Sequence, residues 1–116
     1  MISTNRQIES KVFTEAGEIR APIGARRLKV DSMAEHSGNF GSFPRDPAPQ
    51  PGQIKQAFLF PCSEGDMISA DPGRRGHDAS LKINGKIVLT AMAGRDGGDG
   101  MGVPGAKGHV SISFHT

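Results

Sequence analysis

The chain has 116 residues, 35% of them hydrophobic, and it contains neither Trp nor Tyr. A chain of this length forms about one domain, whose core must be built from Leu, Ile, Val, Met and six Phe. The formal charge of +2 is spread over the chain without a run of one sign, which argues against a nucleic-acid partner. The single Cys62 cannot form an internal disulfide, and no apolar stretch is long enough to predict a signal peptide or membrane insertion.

The first half of the chain predicts strands, because its apolar residues recur at intervals of two. Residues 1–10 are polar and are predicted to form an N-terminal arm. Short strand candidates follow at residues 11–13 and 18–21. Leu28 and Val30 then alternate with charged residues, which places both on a buried face.

The next strand is predicted over residues 54–60, and a short candidate follows at residues 66–70. Because side chains alternate along a strand, the strand over residues 54–60 is predicted to place two sets of side chains on opposite faces. The first set is Ile54, Gln56, Phe58 and Phe60, and the second is Ala57 and Leu59.

The last part of the chain carries the clearest strand signals. Residues 79–91 contain two apolar alternations around Asn84 and Gly85, and this pair tolerates the positive φ angles of a type I′ hairpin turn. Residues 109–115 are apolar at every even position. With six to eight short strands and no amphipathic helix, residues 11–116 are predicted to form one all-β domain, an antiparallel β-sandwich or jelly-roll-like fold with long Gly/Pro-rich loops.

Two loops interrupt this pattern. Residues 34–53 hold four prolines and three glycines without periodicity, and residues 94–108 contain seven glycines in fifteen residues. Loops of such length in a compact domain are usually functional or reach a partner. The candidate partner contacts are Phe40, Phe43, Arg45, Gly94, Arg95, Gly97, Gly98, Gly100, Gly102 and Gly105.

The glycines do not match a cofactor site. Residues 100–105 fit the letters of G-x-G-x-x-G. In that motif, however, the pyrophosphate binds at the N-terminus of a helix that follows the glycines, whereas a strand is predicted to follow here. Two collagen-like triplets are too few for a triple helix. Asp96 and Asp99 lack the repeats of calcium-binding turns. We therefore expect no cofactor and no metal, and a compact loop whose backbone packs closely or presents amides to a partner.

An enzyme is the competing class. Residues 71–78 place acids and His77 in one turn region that could serve acid–base catalysis, but a solvated loop whose Asp and Arg bond their own backbone is the favoured interpretation. The four histidines show no metal-ligand spacing, with His109 and His115 expected on an exposed face. Cys62 has no catalytic pattern around it and is expected to pack as a small hydrophobe. The expectation is a protein without catalytic activity.

The order of these pieces resembles the glycine-rich domains of bacteriophage virion proteins, including tail-fibre and adhesin modules. The resemblance covers roughly residues 12–114. It is carried by Phe13 with Gly17, residues 22–30, residues 64–68, Gly73 and Gly76, residues 77–81, residues 84–94 and residues 108–114.

The resemblance implies a β-sandwich, and in some phage adhesins a bundle of polyglycine helices that displays a receptor-binding tip. This chain departs from the family in its first insertion. Residues 34–53 bear prolines and only Gly38, Gly41 and Gly52. Because of this departure, we expect this chain to share the β-sandwich of the family rather than its bundle of polyglycine helices.

The functional expectation is a phage structural protein, located in the virion and assembled in the host cytoplasm. Its expected partners are the major capsid protein or other virion proteins, together with copies of itself in a dimer or trimer. A capsid decoration protein that stabilises the assembled shell is favoured. The alternatives are a tail or fibre-tip module for host attachment and, less favoured because Trp and Tyr are absent, a small carbohydrate-binding module.

Overall fold

The computed structural model describes residues 6–43, 45–74, 77–102 and 104–116. These residues form two four-stranded antiparallel sheets, ordered β1-β8-β3-β4 and β2-β5-β6-β7. The predicted all-β, sandwich-like class is confirmed, and the described part of the chain has no helix that could cross a membrane. The strands are β1 (Gln7–Phe13), β2 (Gly17–Arg20), β3 (Arg27–Ala34), β4 (Ile54–Pro61), β5 (Met67–Asp71), β6 (Ala79–Ile83), β7 (Lys86–Ala91) and β8 (His109–His115).

One apolar core joins the two sheets. Val110, Ile112 and Phe114 of the central strand β8 are fully buried, as the alternation of residues 109–115 predicts. Ser113, between them, is buried as well, and its Oγ lies 2.9 Å from His115 Nε2. The rest of the core comes from both sheets and from the β2–β3 loop: Phe13, Ala21, Ala25, Leu28, Val30, Met33, Ile68, Ala70, Ala79, Leu81 and Ala91.

The β6–β7 hairpin turns at Asn84 and Gly85, as predicted. Their φ angles are 50° and 82°, the two positive values that a type I′ turn needs. The Asn84 side chain also ties the hairpin to the neighbouring strand. Its Oδ1 accepts a hydrogen bond from the Met67 N–H at 2.9 Å, and its amide donates to Asp66 at 3.0 Å. This amide lowers the pKa of Asp66.

The predicted faces of β4 are wrong, because both β3 and β4 are irregular at one position. The β3–β8 register shifts by one residue between Val30 and Ser32, and Ala57 of β4 has a φ of 59°. Side chains beyond this irregularity therefore change face. Side chains directly opposite each other in paired strands lie on the same face of the sheet. Phe58 lies opposite buried Val30 and Lys55 lies opposite buried Met33, so Phe58 and Lys55 are both on the core face. Ile54 and Gln56 alternate with Lys55 and therefore lie on the other face, away from Phe58 and Phe60.

The predicted N-terminal arm also has a different boundary. β1 begins at Gln7 and pairs with β8, so residues 7–10 belong to the sheet, whereas residues 1–5 lie outside the described part. β1 is an edge strand in which only Phe13 is buried. Its polar sequence therefore resembles that of a free arm.

Leu28 and Leu59 provide a matched test of the core. Leu28 is fully buried, whereas Leu59 on the edge strand β4 is 61% exposed. We expect Leu28→Ala to lower the free energy of unfolding by about 2–5 kcal/mol. Leu59→Ala should change it by less than about 1 kcal/mol, as measured by urea unfolding. Equal losses in the two variants would contradict this arrangement of the sheets.

Candidate functional site

The two long loops lie against each other and form one structure, which we call the glycine bundle (the described residues of 35–53 and 92–108). Each loop runs outward, turns and returns, so four extended segments lie side by side. The turns are marked by hydrogen bonds from Asp46 N–H to Phe43 O and from Gly100 N–H to Gly97 O. Gly98 packs against Asp46, which places both turns together at one end, the tip (residues 40–43, 45–46 and 98–102).

Hydrogen bonds connect these segments in several directions, unlike the ladder of a flat sheet. The Gly38 N–H donates to Gln50 O, and the Gln50 N–H donates in turn to Arg95 O. The Gly94 N–H closes this set by donating to His36 O. Many backbone groups of both loops are thus satisfied within the bundle, as buried backbone requires. Further links join Ser37 to Ala106, Asn39 to Gly97, Phe40 to Gly102 and Gln53 to Met92.

Glycine is required where the segments cross. A Cβ atom on Gly38 would overlap the carbonyl group of Arg95, so a side chain at this position would separate the two loops. The same conflict with backbone atoms of the opposing loop exists at Gly94, Gly97, Gly102 and Gly105. The glycines therefore serve to pack backbone on backbone, the first of the two roles that their composition suggests.

The bundle shows how residues 34–53 pack closely although they contain few glycines. Those residues hold few glycines, but Gly38, Gly41 and Gly52 occupy points of close contact. Proline can occupy the other positions, because it fixes an extended backbone and removes a donor that would otherwise need a partner. A bundle of extended segments thus forms without a continuous run of glycine.

The predicted contact residues divide into two groups. Phe40, Phe43 and Arg45 are exposed at the tip, and Arg95 is exposed along the bundle. The glycine N–H groups are instead used internally, because those of Gly94, Gly97, Gly100, Gly102 and Gly105 all donate within the bundle. Gly98 supplies a positive φ at a turn.

The tip carries three exposed apolar side chains. Phe40 is 50%, Phe43 68% and Met101 72% exposed. A cleft of about 610 Å³ opens between the tip segments. It is lined by Phe40, Gly41, Ser42, Phe43, Asp46, Pro47, Ala48 and Gly102.

Aspartates hold the backbone of the tip in place. Asp99 Oδ1 accepts hydrogen bonds from the Ser42 N–H at 2.9 Å, the Ser42 hydroxyl at 3.1 Å and the Met101 N–H at 3.0 Å. These donors lower the pKa of Asp99. Asp46 accepts a hydrogen bond from the Phe43 N–H at 3.1 Å. Their charges thus organise the turns from which the aromatic rings project.

The opposite end of the bundle contains a buried acid, Glu35. Its residue is only 5% exposed, its Oε1 accepts the His36 N–H at 2.7 Å, and its Oε2 has no hydrogen-bond partner in the described part of the chain. Burial raises the pKa of Glu35 to about 7, aided by the negative charges of Asp78 and Asp71 and opposed by the N–H groups of His36 and Ala79. Sequence reasoning missed Glu35, because nothing in its local pattern distinguishes it from a loop acid.

Among the described residues of 71–78, no hydrogen bond or ion pair joins an acidic side chain to the side chain of His77. Asp71 accepts a hydrogen bond from the Gly73 N–H at 2.8 Å, and Arg74 pairs with His77 through the backbone; Arg75 and Gly76 lie outside the described residues. Cys62 packs against the core, and burial raises the pKa of its thiol. His109 Nε2 lies 2.8 Å from Ser32 Oγ and is only partly exposed.

No group of three or more His, Cys, Asp or Glu residues in the described ranges could hold a metal ion. No known protein family, curated protein or solved structure matches the chain. The class is therefore defined by geometry: a sandwich-like domain that carries a glycine bundle with an aromatic tip.

Gly38→Ala tests the bundle. We expect its Cβ to separate the loops, so that the amides of Gln50 and Gly94 exchange with solvent at least about tenfold faster while β8 stays protected. Gly65→Ala is the control. Its Cβ would meet no atom within 4 Å, and its φ of 83° adds only backbone strain of about 1–2 kcal/mol. Unchanged exchange in Gly38→Ala would contradict the close crossing.

Glu35 predicts a pH dependence of stability. The pKa of its carboxyl group is about 7 in the folded protein, against an ordinary value of 4.5 that applies to the unfolded chain. Between pH 4.5 and about 7, the folded state therefore binds a proton at Glu35 that the unfolded state has lost. The free energy of unfolding should therefore fall as pH rises from 4.5 to about 7, by up to about 3 kcal/mol, and then level off.

Glu35→Gln isolates this effect, because the neutral amide keeps an acceptor for the His36 N–H. Urea unfolding at several pH values should show that the variant lacks this fall and exceeds the parent in stability above pH 7. The control is Glu64→Gln on the exposed β4–β5 loop, which should retain the parent's pH dependence. A parent-like fall in Glu35→Gln would show that Glu35 is not its source.

Proposed function

We propose that the protein is a non-enzymatic structural protein of a bacteriophage virion that binds another protein through the tip of its glycine bundle. The observation that carries the proposal is the exposure of Phe40 and Phe43 on the walls of one cleft, with Met101 exposed elsewhere on the same tip. Clustered aromatic side chains at the surface of a soluble domain mark interaction sites.

The construction of the bundle supports a recognition role. The backbone of both loops is held by internal hydrogen bonds, so the tip is ordered before any partner arrives. Preorganisation lowers the entropic cost of association. A solvated connection between strands would need neither the glycine crossings nor the aspartates that hold the turns.

Capsid decoration is the first form of this proposal. A subunit that binds only the assembled shell stabilises it through its binding free energy, repeated over many sites. The tip would insert into the capsid lattice while the sandwich lies on the outer surface. Self-association into a dimer or trimer would add further contacts between neighbouring subunits.

Host attachment through a tail or fibre is the second form, and the glycine bundle itself favours it. Some adhesins of the family that the sequence resembles display receptor-binding tips on bundles of polyglycine helices. The four segments that pass each other at Gly38, Gly94 and Gly105 provide a comparable support for the tip. In this form the tip would contact a protein of the host envelope.

Sedimentation with purified virion shells stripped of this protein, and in parallel with host envelopes, separates the two forms. The parent protein should bind stoichiometrically to one of them. The double variant Phe40→Ala/Phe43→Ala should bind at least about thirtyfold more weakly, because loss of even one buried aromatic anchor costs about 2 kcal/mol or more.

Ile87→Ala is the control for loss of an exposed apolar side chain, since Ile87 is 55% exposed on β7 and lies outside the bundle. It should bind like the parent. Binding retained by the double variant would exclude the tip as the contact. Failure of the parent to bind either shells or envelopes would overturn the virion role.

A further inference from the structure

The chemistry of the tip cleft is distinctive because aromatic walls surround a single charged side chain. Phe40 and Phe43 line the cleft, and Asp46 is the only ionisable residue among the described lining residues. Asp46 Oδ2 accepts the Phe43 N–H, whereas its Oδ1 accepts no hydrogen bond from the described residues. One carboxylate oxygen is therefore left for a ligand.

No cation of the described chain neutralises this carboxylate. Arg45 precedes Asp46 in sequence, but it is exposed, does not line the cleft and forms no ion pair in the described ranges. Asp99 adds a second negative charge at the tip, and the hydrogen bonds of Ser42 and Met101 stabilise its ionised form. The cleft thus has apolar walls and a negative electrostatic potential.

We propose that this cleft receives an arginine side chain presented by the protein partner. A neutral apolar anchor would remove the Asp46 carboxylate from water without a partner, which costs free energy, and an anionic group would be repelled. A guanidinium group can stack on an aromatic ring, donate hydrogen bonds to a carboxylate and bury its apolar stem. Phe40, Phe43 and Asp46 offer these three contacts.

This inference rests on the proposed function, in which the tip is the contact surface, and it adds the chemistry of the partner. A cation of this kind must be supplied by the other protein as an exposed Arg. The inference can fail while the tip remains the contact, because Phe40 and Phe43 could bind a purely apolar group.

The test is an NMR titration of the full chain with N-acetyl-arginine amide. N-acetyl-citrulline amide, of nearly the same shape but without charge, and N-acetyl-norleucine amide are the comparison ligands. We expect saturable shifts of the Gly41 and Phe43 amides with the arginine derivative alone, in the millimolar range typical of one side-chain contact.

Asp46→Asn is the informative variant, since the amide oxygen can still accept the Phe43 N–H while the charge is lost. It should weaken binding of the arginine derivative by about threefold to fivefold. Phe43→Ala, which keeps Asp46, should weaken it as well. Glu64→Gln on the exposed β4–β5 loop is the charge-matched control and should bind like the parent.

Equal binding of the citrulline or norleucine derivative, or unchanged binding by Asp46→Asn, would overturn the inference. So would the absence of saturable shifts with the arginine derivative. If sedimentation still depends on Phe40 and Phe43 in that case, the tip remains the contact and only the cationic occupant is refuted. If sedimentation is indifferent to both rings, the proposed function fails independently of the titration.

Discussion

The close passage of backbone past backbone at the glycine crossings is the constraint on which the bundle depends. At Gly38 the carbonyl group of Arg95 occupies the space of a missing Cβ atom. Segments at this distance can exchange hydrogen bonds in several directions, as Gly38, Gln50 and Gly94 do. These hydrogen bonds let two long loops with little apolar content satisfy their buried polar groups. A side chain at a crossing would remove the contact and leave those groups without partners.

The sandwich and the bundle are consequently stabilised by different physics. Leu28, Ile112 and Phe114 bury apolar surface between two sheets, whereas the bundle relies on hydrogen bonds and tight backbone contacts. The two loops also depend on each other. Deleting residues 36–51 to test their role would deprive residues 92–107 of their partners, so single substitutions at the tip are the cleaner perturbation.

The sequence predicts those features that depend on short-range patterns. Asn84 and Gly85 specify their hairpin locally, and the alternation in β8 identifies its buried residues. The faces of β4 could not be predicted, because the irregularity at Ala57 arises within paired strands. The burial of Glu35 likewise depends on contacts with the distant β5–β6 loop. The bundle escaped prediction because glycine spacing within one loop does not show which chain lies opposite.

The arrangement of acids along the bundle connects its architecture to its chemistry. At the opposite end from the tip, burial and the nearby charges of Asp78 and Asp71 disfavour the charged form of Glu35. At the tip, Asp99 and Asp46 both accept backbone N–H groups, and Asp46 lines the cleft beside Phe40 and Phe43. Aromatic rings that served only to close a loop would be covered by it. Here they remain in solvent beside a carboxylate that has one oxygen free of described partners, an arrangement suited to binding an external cation with an apolar stem.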